Sequence, residues 1–435
     1  MNNEAAPAQA IPDDLLLGSA TSATQIEGGE LPHSWARWSE QGKTADGSHP
    51  KDACMHWERA LEDAALISRL NCQTYRLSIE WARLQPTQDA WDAAALDQYR
   101  QLIGALRDAG VLPLVTLHHF TNPLWIEDAG GWTNRSAVEA FETYAERVVS
   151  ALGDLVSEWI TVNEPAVYAY HGHLQTIWPP GKRRLRACRA AVRNMLRAHI
   201  RAYRLIHEIR GRNAWQDETR VGAAKHFCAM RPARPEKRLD RLGAKIAEHL
   251  FQDAPLFALS TGAFLFPYGY PWLRHDSNPE GSGDFSDFTG VNYYQPYRVR
   301  WRRKGFQRHT PDEAPTNDLG WEIDAEGLRQ VCADAYEAAG KPIYITENGV
   351  ADADDAIRSR FIYEHLAQTL QARQDGIPIQ RYYHWTLMDN FEWAEGMSAK
   401  FGLAAVDPQT YERIVKPSGE YYAQICKTRR LIPVE

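Results

Sequence analysis

The sequence predicts an α/β protein folded as a single (β/α)₈ barrel. Three observations lead there: eight short apolar runs, amphipathic helical patterns between most of them, and no phosphate-binding glycine loop after the first run. Strands alternating with helices imply a parallel sheet, and eight such units imply closure into a barrel. The competing architecture is an open doubly wound sheet with an appended domain. It is disfavoured because Leu17-Gly18-Ser19-Ala20 lacks the G-x-G-x-x-G spacing.

The runs lie at 15–20, 72–79, 111–117, 158–162, 221–226, 285–291, 342–346 and 379–385. Helical patterns cover 55–70, 93–109, 136–151, 187–209, 325–340 and 357–375. In the first of them Leu61, Ala65, Leu66, Ile67 and Leu70 supply apolar residues at helical spacing. Two polar inserts, 275–284 and 302–317, read as long loops near the sixth and seventh strands. The run 298–308 alternates Arg298, Arg300 and Arg302 with Val299 and Trp301, which reads as a β-ribbon with one charged face. Residues 1–10 read as a disordered tail and 11–435 as one catalytic domain.

The chain has 435 residues, 44% hydrophobic and 24% charged, as in an ordinary globular protein. Its net charge of −7 argues against a nucleic-acid partner. The six cysteines include no C-x-x-C pair, so neither a zinc knuckle nor a thioredoxin-type site is expected. Residues 1–10 lack a basic region followed by an apolar one, so no secretion signal is expected. No apolar stretch is long enough to span a bilayer. A cytoplasmic location and no membrane partner are expected.

Two segments carry the chemistry. Thr161-Val162-Asn163-Glu164-Pro165 and Tyr344-Ile345-Thr346-Glu347-Asn348-Gly349 each leave an apolar run and reach a glutamate. They fall at the ends of the fourth and seventh strands. The C-terminal ends of barrel strands form the active-site face, so both carboxyls would point into one bowl. Two facing carboxyls suit glycoside hydrolysis, in which one protonates the leaving oxygen and the other attacks the anomeric carbon or activates water. Each glutamate taken alone would equally suit a structural ion pair at the barrel mouth.

These segments strongly resemble the acid/base and nucleophile motifs of family-one glycoside hydrolases, the β-glucosidase family. Gly18-Ser19-Ala20-Thr21-Ser22-Ala23-Thr24-Gln25-Ile26-Glu27-Gly28, Tyr75-Arg76-Leu77-Ser78-Ile79, Gly290-Val291-Asn292-Tyr293-Tyr294 and Trp385-Thr386-Leu387-Met388-Asp389-Asn390-Phe391-Glu392-Trp393 resemble its other signatures in order. The resemblance implies a retaining mechanism with Glu347 as nucleophile and Glu164 as acid/base. It implies that Arg76 and Tyr294 keep Glu347 ionised, and that burial and the charge of Glu347 keep a proton on Glu164. Gln25, His119, Asn163, Glu392 and Trp393 match sugar-binding positions, and Trp385 matches a stacking platform. Asn163 would reach the 2-hydroxyl and Asn292 would orient the pocket. Trp178 and Trp321 sit on loops that would line the leaving-group side or simply pack.

The implied substrates are β-glycosides of cellobiose or aryl type, with glucose first among the sugars and galactose and fucose next. His119-Phe120 stands where the family has His-Trp, so one indole donor is missing, and Met397 departs from an aromatic at the rim, while Phe401 is conventional. A phospho-β-glycosidase is disfavoured, because Glu392 would repel phosphate and Ala399 and Phe401 replace its lysine and tyrosine. A transglycosylase would use the same covalent intermediate, whereas a sugar-binding pseudoenzyme would lack one glutamate. His118-His119 and His171-Gly172-His173 offer imidazoles without a partner set, so no metal or cofactor is expected.

Overall fold

The computed structural model describes residues 9–269, 278–303 and 305–434. Eight parallel strands close a barrel: β1 (Leu16–Ala20), β2 (Thr74–Ser78), β3 (Leu112–His118), β4 (Glu158–Asn163), β5 (Arg220–Phe227), β6 (Phe288–Tyr293), β7 (Ile343–Asn348) and β8 (Ile379–Trp385). Each strand pairs with its neighbours in sequence, and β8 returns to β1 with Tyr382 opposite Leu17 and Trp385 opposite Ala20. All eight apolar runs therefore become strands, with ends shifted by at most three residues.

The helices that follow the strands are α1 (His56–Arg69), α2 (Ala93–Asp108), α3 (Ser136–Leu152), α4 (Leu185–Arg212), α5 (Arg238–Glu248), α6 (Ala325–Ala339), α7 (Arg358–Gln374) and α8 (Pro417–Thr428). Six occupy the six helical patterns. α5 and α8 add the two that complete the ring. The helix stripes pack on the outward faces of the strands, as Tyr99, Leu102, Ile103 and Leu106 do on α2, where Asp92 accepts from the Ala95 amide and caps the first turn.

Inside the barrel, Ala20, Leu114, Ile160, Ala224, Phe288, Tyr344, Tyr383 and Trp385 fill the volume, so the barrel is a packed core and not a pore. Phe288 stacks on Tyr344 at 4.0 Å. Near the N-terminal ends of the strands, Glu158 accepts from Arg381 at 2.7 Å and from the Tyr344 hydroxyl at 3.0 Å. Arg381→Leu would leave the Glu158 carboxylate buried without its cation. Breaking such a pair costs about 3–5 kcal/mol, so the variant should unfold at a markedly lower Tm in a thermal scan.

Two expectations are corrected. Gln9 and Ala10 do not belong to a loose tail, because they pair with Leu431 and Arg430 and tie the two ends of the chain together. Residues 1–8 of that tail lie outside the described residues. The expected loop over 302–317 begins instead as a strand: Gly305–His309 folds back antiparallel on Tyr297–Arg302, and Met230–Pro232 pairs with the latter to make a three-stranded ribbon. The alternating run thus forms the expected ribbon, and its polar partners shorten the loop. In the other insert, 275–277 lies outside the described residues. Among the described residues, no helix is long and apolar enough to cross a membrane.

Candidate active site

Glu164 follows the last residue of β4, and its backbone nitrogen still donates to the Ala224 carbonyl of β5 at 2.8 Å. Its φ of 45° lies in the left-handed region, a costly setting for a side chain. Pro165 then opens the short helix Pro165–Tyr170, where its missing N–H costs nothing. The strand end and the proline together turn the Glu164 side chain into the bowl. Such strain clusters at functional sites.

Glu347 lies on β7 and is buried, with Arg76 Nη1 donating to Oε1 at 2.6 Å and the Tyr294 hydroxyl to Oε2 at 2.6 Å. Arg76 is fully buried, and its Nη2 donates to Asn163 Oδ1 at 2.8 Å. Asn292 Nδ2 donates to Asn163 Oδ1 at 3.1 Å and to Glu164 Oε1 at 2.7 Å. Thr346 fixes that amide by donating to Asn292 Oδ1 at 2.6 Å. One hydrogen-bonded chain therefore runs from Glu347 to Glu164 through Arg76, Asn163 and Asn292. Gly349 explains the end of the β7 motif: a Cβ there would lie 1.9 Å from the Trp385 carbonyl oxygen. Gly349→Ala should displace Trp385 or Glu347 and lower kcat/KM about 100-fold, the scale of a 1 Å misplacement.

The sugar-binding candidates gather beside this chain. Ser22 donates to Gln25 Oε1, and Gln25 Nε2 donates to Glu392 Oε2 and Asn390 Oδ1, both at 3.1 Å. His119 stacks near-parallel with Trp385 and with Trp393, each at 5.9 Å. Burial and the Arg76 charge hold its imidazole far below the usual histidine range, so it is neutral. Asn163 Nδ2 faces His119 Nε2 at 3.3 Å, which makes Nε2 the acceptor and Nδ1 the protonated nitrogen. Among the described residues Nδ1 has no hydrogen-bond partner.

Trp178 packs on Phe120 at 4.8 Å, on His171 at 4.7 Å and on Trp393 at 5.9 Å. Trp321 meets Tyr294 at 5.8 Å and Phe401 at 6.0 Å. Both tryptophans thus join the site through its own residues. Phe120, at the position of the missing indole donor, is buried in an aromatic cluster with Trp178 and Trp393. Met397 is half-buried, and its backbone nitrogen donates to Asp46 and Ser48, which tie down the rim. His171-Gly172-His173 lies in a wide helical turn, His171–Gln175, and among the described residues no three His, Cys, Asp or Glu side chains gather into a metal site.

Electrostatics correct two expectations. Burial pushes Glu347 above the ordinary carboxyl range, Arg76 and Tyr294 pull it back, and the charge of Glu164 adds to the rise. Burial acts on Glu164 in the same sense, but the His226 imidazole, with Asn292 and Arg76, brings it below that range. The expected raising of Glu164 by Glu347 is thus outweighed by a histidine the motifs did not single out. Glu392 is pushed up to about 8 by burial and by the Glu347 charge, against donors on Trp385 and Gln25. This rise weakens, near neutral pH, the repulsion of a phosphate expected from Glu392. Ala399 and Phe401, both buried, offer no cation to pair one.

Sequence reasoning missed His226, Thr346 and Asn390. Thr346 lies inside the β7 motif and Asn390 inside the β8 motif, so both were within reach. His226 has no motif; its only signal is its place at the C-terminal end of a barrel strand.

The glycosyl hydrolase family 1 profile matches residues 8–264 and 275–431. The chain belongs to glycosyl hydrolase family 1. It is 33% identical to β-glucosidase A of Thermotoga maritima, over 97% of this chain and 98% of that one. It is 29% identical to a β-galactosidase of Pyrococcus woesei, over 93% and 94% of the two. Among solved structures, the family 1 β-glucosidase of Thermotoga maritima in complex with isofagomine lactam superposes with a TM-score of 0.91 at 32% identity, covering 98% of this chain and all of that one. The β-glycosidase of Pyrococcus horikoshii gives a TM-score of 0.89 at 34% identity, over 98% and 97%. The chain is accordingly a family 1 β-glycosidase, a glycoside hydrolase on a (β/α)₈ barrel.

Proposed function

We propose that this family 1 enzyme removes terminal β-D-glucosyl residues from small β-glycosides by a retaining mechanism. Glu347 attacks the anomeric carbon while Glu164 protonates the leaving oxygen. A glycosyl–Glu347 ester forms, and Glu164 then takes a proton from the water that hydrolyses it. The observation that carries this reading is the asymmetry of the two carboxyls. Glu347 accepts from a buried guanidinium and a phenol, both at 2.6 Å, which stabilise an anion poised to attack. Glu164 accepts from a neutral amide and faces an imidazole, which suits a group that gains and loses a proton.

The sugar is held by Gln25, His119, Asn163, Glu392 and Trp393 over Trp385, with Asn292 orienting the acid, while Trp178 and Trp321 flank the leaving group. Glucose comes first, with galactose and fucose next, because the same residues reach the positions where these sugars differ; relatives named for glucosidase and galactosidase activity support that range. Residues 11–435 act as one catalytic unit, without metal or cofactor. Six unpaired cysteines, five of them buried, suit a reducing cytoplasm. Kinetics on nitrophenyl β-glucoside, β-galactoside, β-fucoside and β-glucoside-6-phosphate test the reading. The first three should turn over, glucoside fastest, and the phosphate ester should not. Turnover confined to the phosphate ester would overturn it.

A further inference from the structure

His226 is the last inward-facing titratable residue of β5, and on the adjacent β6 it stands opposite Asn292, the amide that holds Glu164. Its Nδ1 lies 3.6 Å from Glu164 Oε1. Its Nε2 lies 3.1 Å from Sγ of Cys228, which follows the last residue of β5. The ring stacks on Tyr294 at 6.3 Å and 25°. A quarter of the side chain remains exposed. Each nitrogen thus has a polar partner, and the ring is held between the acid and a thiol.

We propose that His226 is a positioning residue that shares one exchangeable proton with Glu164, so that the pair, and not Glu164 alone, delivers and recovers the catalytic proton. The inference rests on the acid/base role of Glu164 given above. The titratable groups around His226 are Glu164 beyond β4, Tyr294 beyond β6, His171 in the turn after Pro165–Tyr170, Lys225 on β5 and Cys228 just after β5. Lys225 donates to the His226 carbonyl at 2.8 Å, and burial brings it down to about 7, so its opposing charge falls away as pH rises through that value. Withdrawal from water disfavours an imidazolium, but Cys228 and Glu164 outweigh that and lift His226 well above the usual range.

The proton balance closes over one turnover. The resting pair is an imidazolium beside a carboxylate and holds one proton. The proton moves from His226 Nδ1 to Glu164 and on to the leaving oxygen as the C1–O bond breaks and the Glu347–C1 bond forms. The pair is then empty: a neutral imidazole beside a carboxylate, with no cation left to weaken the base. Water adds to C1, the Glu347–C1 bond breaks, and the proton of that water returns to the pair. His226 thereby makes Glu164 a stronger base in the second step without relying only on the lost charge of Glu347.

Because two sites compete for it, the last proton leaves the pair at a higher pH than it would leave Glu164 alone. The test is the pH dependence of kcat/KM for a nitrophenyl β-glucoside in wild type, His226→Asn and Cys228→Ala. The basic limb should move to lower pH by about one unit or more in His226→Asn, and by less, in the same sense, in Cys228→Ala. Turnover of a dinitrophenyl glucoside, whose leaving group needs no proton, should survive in His226→Asn and report that the site is intact. A basic limb that stays in place in His226→Asn, with or without lower activity, would overturn the proposal; should that variant fail to fold, an unmoved limb in Cys228→Ala would do so. Glu164→Gln separates this from the parent reading: full activity of that variant on the nitrophenyl glucoside would defeat the acid/base role itself, whatever the His226 result.

Discussion

Glu347→Gly should lose turnover of nitrophenyl β-glucosides by on the order of 10⁶-fold, as expected when the nucleophile of a concerted set of groups is removed. The loss should fall on kcat/KM and kcat alike, because no neighbour replaces a carboxylate held by two donors at 2.6 Å. Arg76 would remain buried, still bonded to Asn163 and to the Thr346 carbonyl, so the fold should persist. Added azide, small enough to enter the space left by the carboxylate, should restore measurable cleavage with an activated leaving group. A variant that kept more than a few per cent of wild-type rate would remove Glu347 from the chemistry.

Glu164→Gln should give the second largest effect, about 10²–10⁴-fold on substrates with poor leaving groups, the usual contribution of a positioned general acid. Dinitrophenyl glucoside should be spared in its first step, so the loss should grow with the pKa of the leaving group. The pH profile gives an independent check. Glu347 must be ionised to attack, and its pKa is raised above the ordinary carboxyl range, so the acid limb of kcat/KM should lie above pH ~4.3, the value of an unperturbed glutamate. Activity falls as pH drops through that limb because the nucleophile is protonated. The basic limb, which reports the acid's proton, should vanish in Glu164→Gln. Its survival there would contradict the assignment.

The barrel was legible because each strand is a continuous apolar run buried on both faces, a pattern that periodicity reports well. α5 was not, because its exposed face carries Leu239, Leu242 and Ile246 while its buried face carries Asp240, which inverts the usual pattern. Asp240 is inside because it accepts from Arg234 and from the Trp301 backbone, a tertiary contact no local pattern announces. Within the site, the residues singled out in the motifs are linked by hydrogen bonds or ring contacts, and Thr346 and Asn390, which lie in the same motifs without being singled out, join them. The protonation pattern was not legible. It depends on His226, which the β5–β6 register brings opposite Asn292 and beside Glu164, and on Cys228 behind it. A strand-end histidine without a motif carries no such information until its neighbours across the sheet are known.

The central claim is a covalent bond from sugar to Glu347. Incubation with dinitrophenyl 2-deoxy-2-fluoro-β-glucoside, in which fluorine slows both steps and the activated leaving group speeds the first, should trap that ester. Mass spectrometry should then show one fluorodeoxyglucosyl group per chain, on the peptide that contains Tyr344-Ile345-Thr346-Glu347-Asn348-Gly349 and carried by Glu347. An adduct on Glu164 or Glu392, or an active enzyme that releases product of inverted anomeric configuration and forms no adduct, would contradict the account.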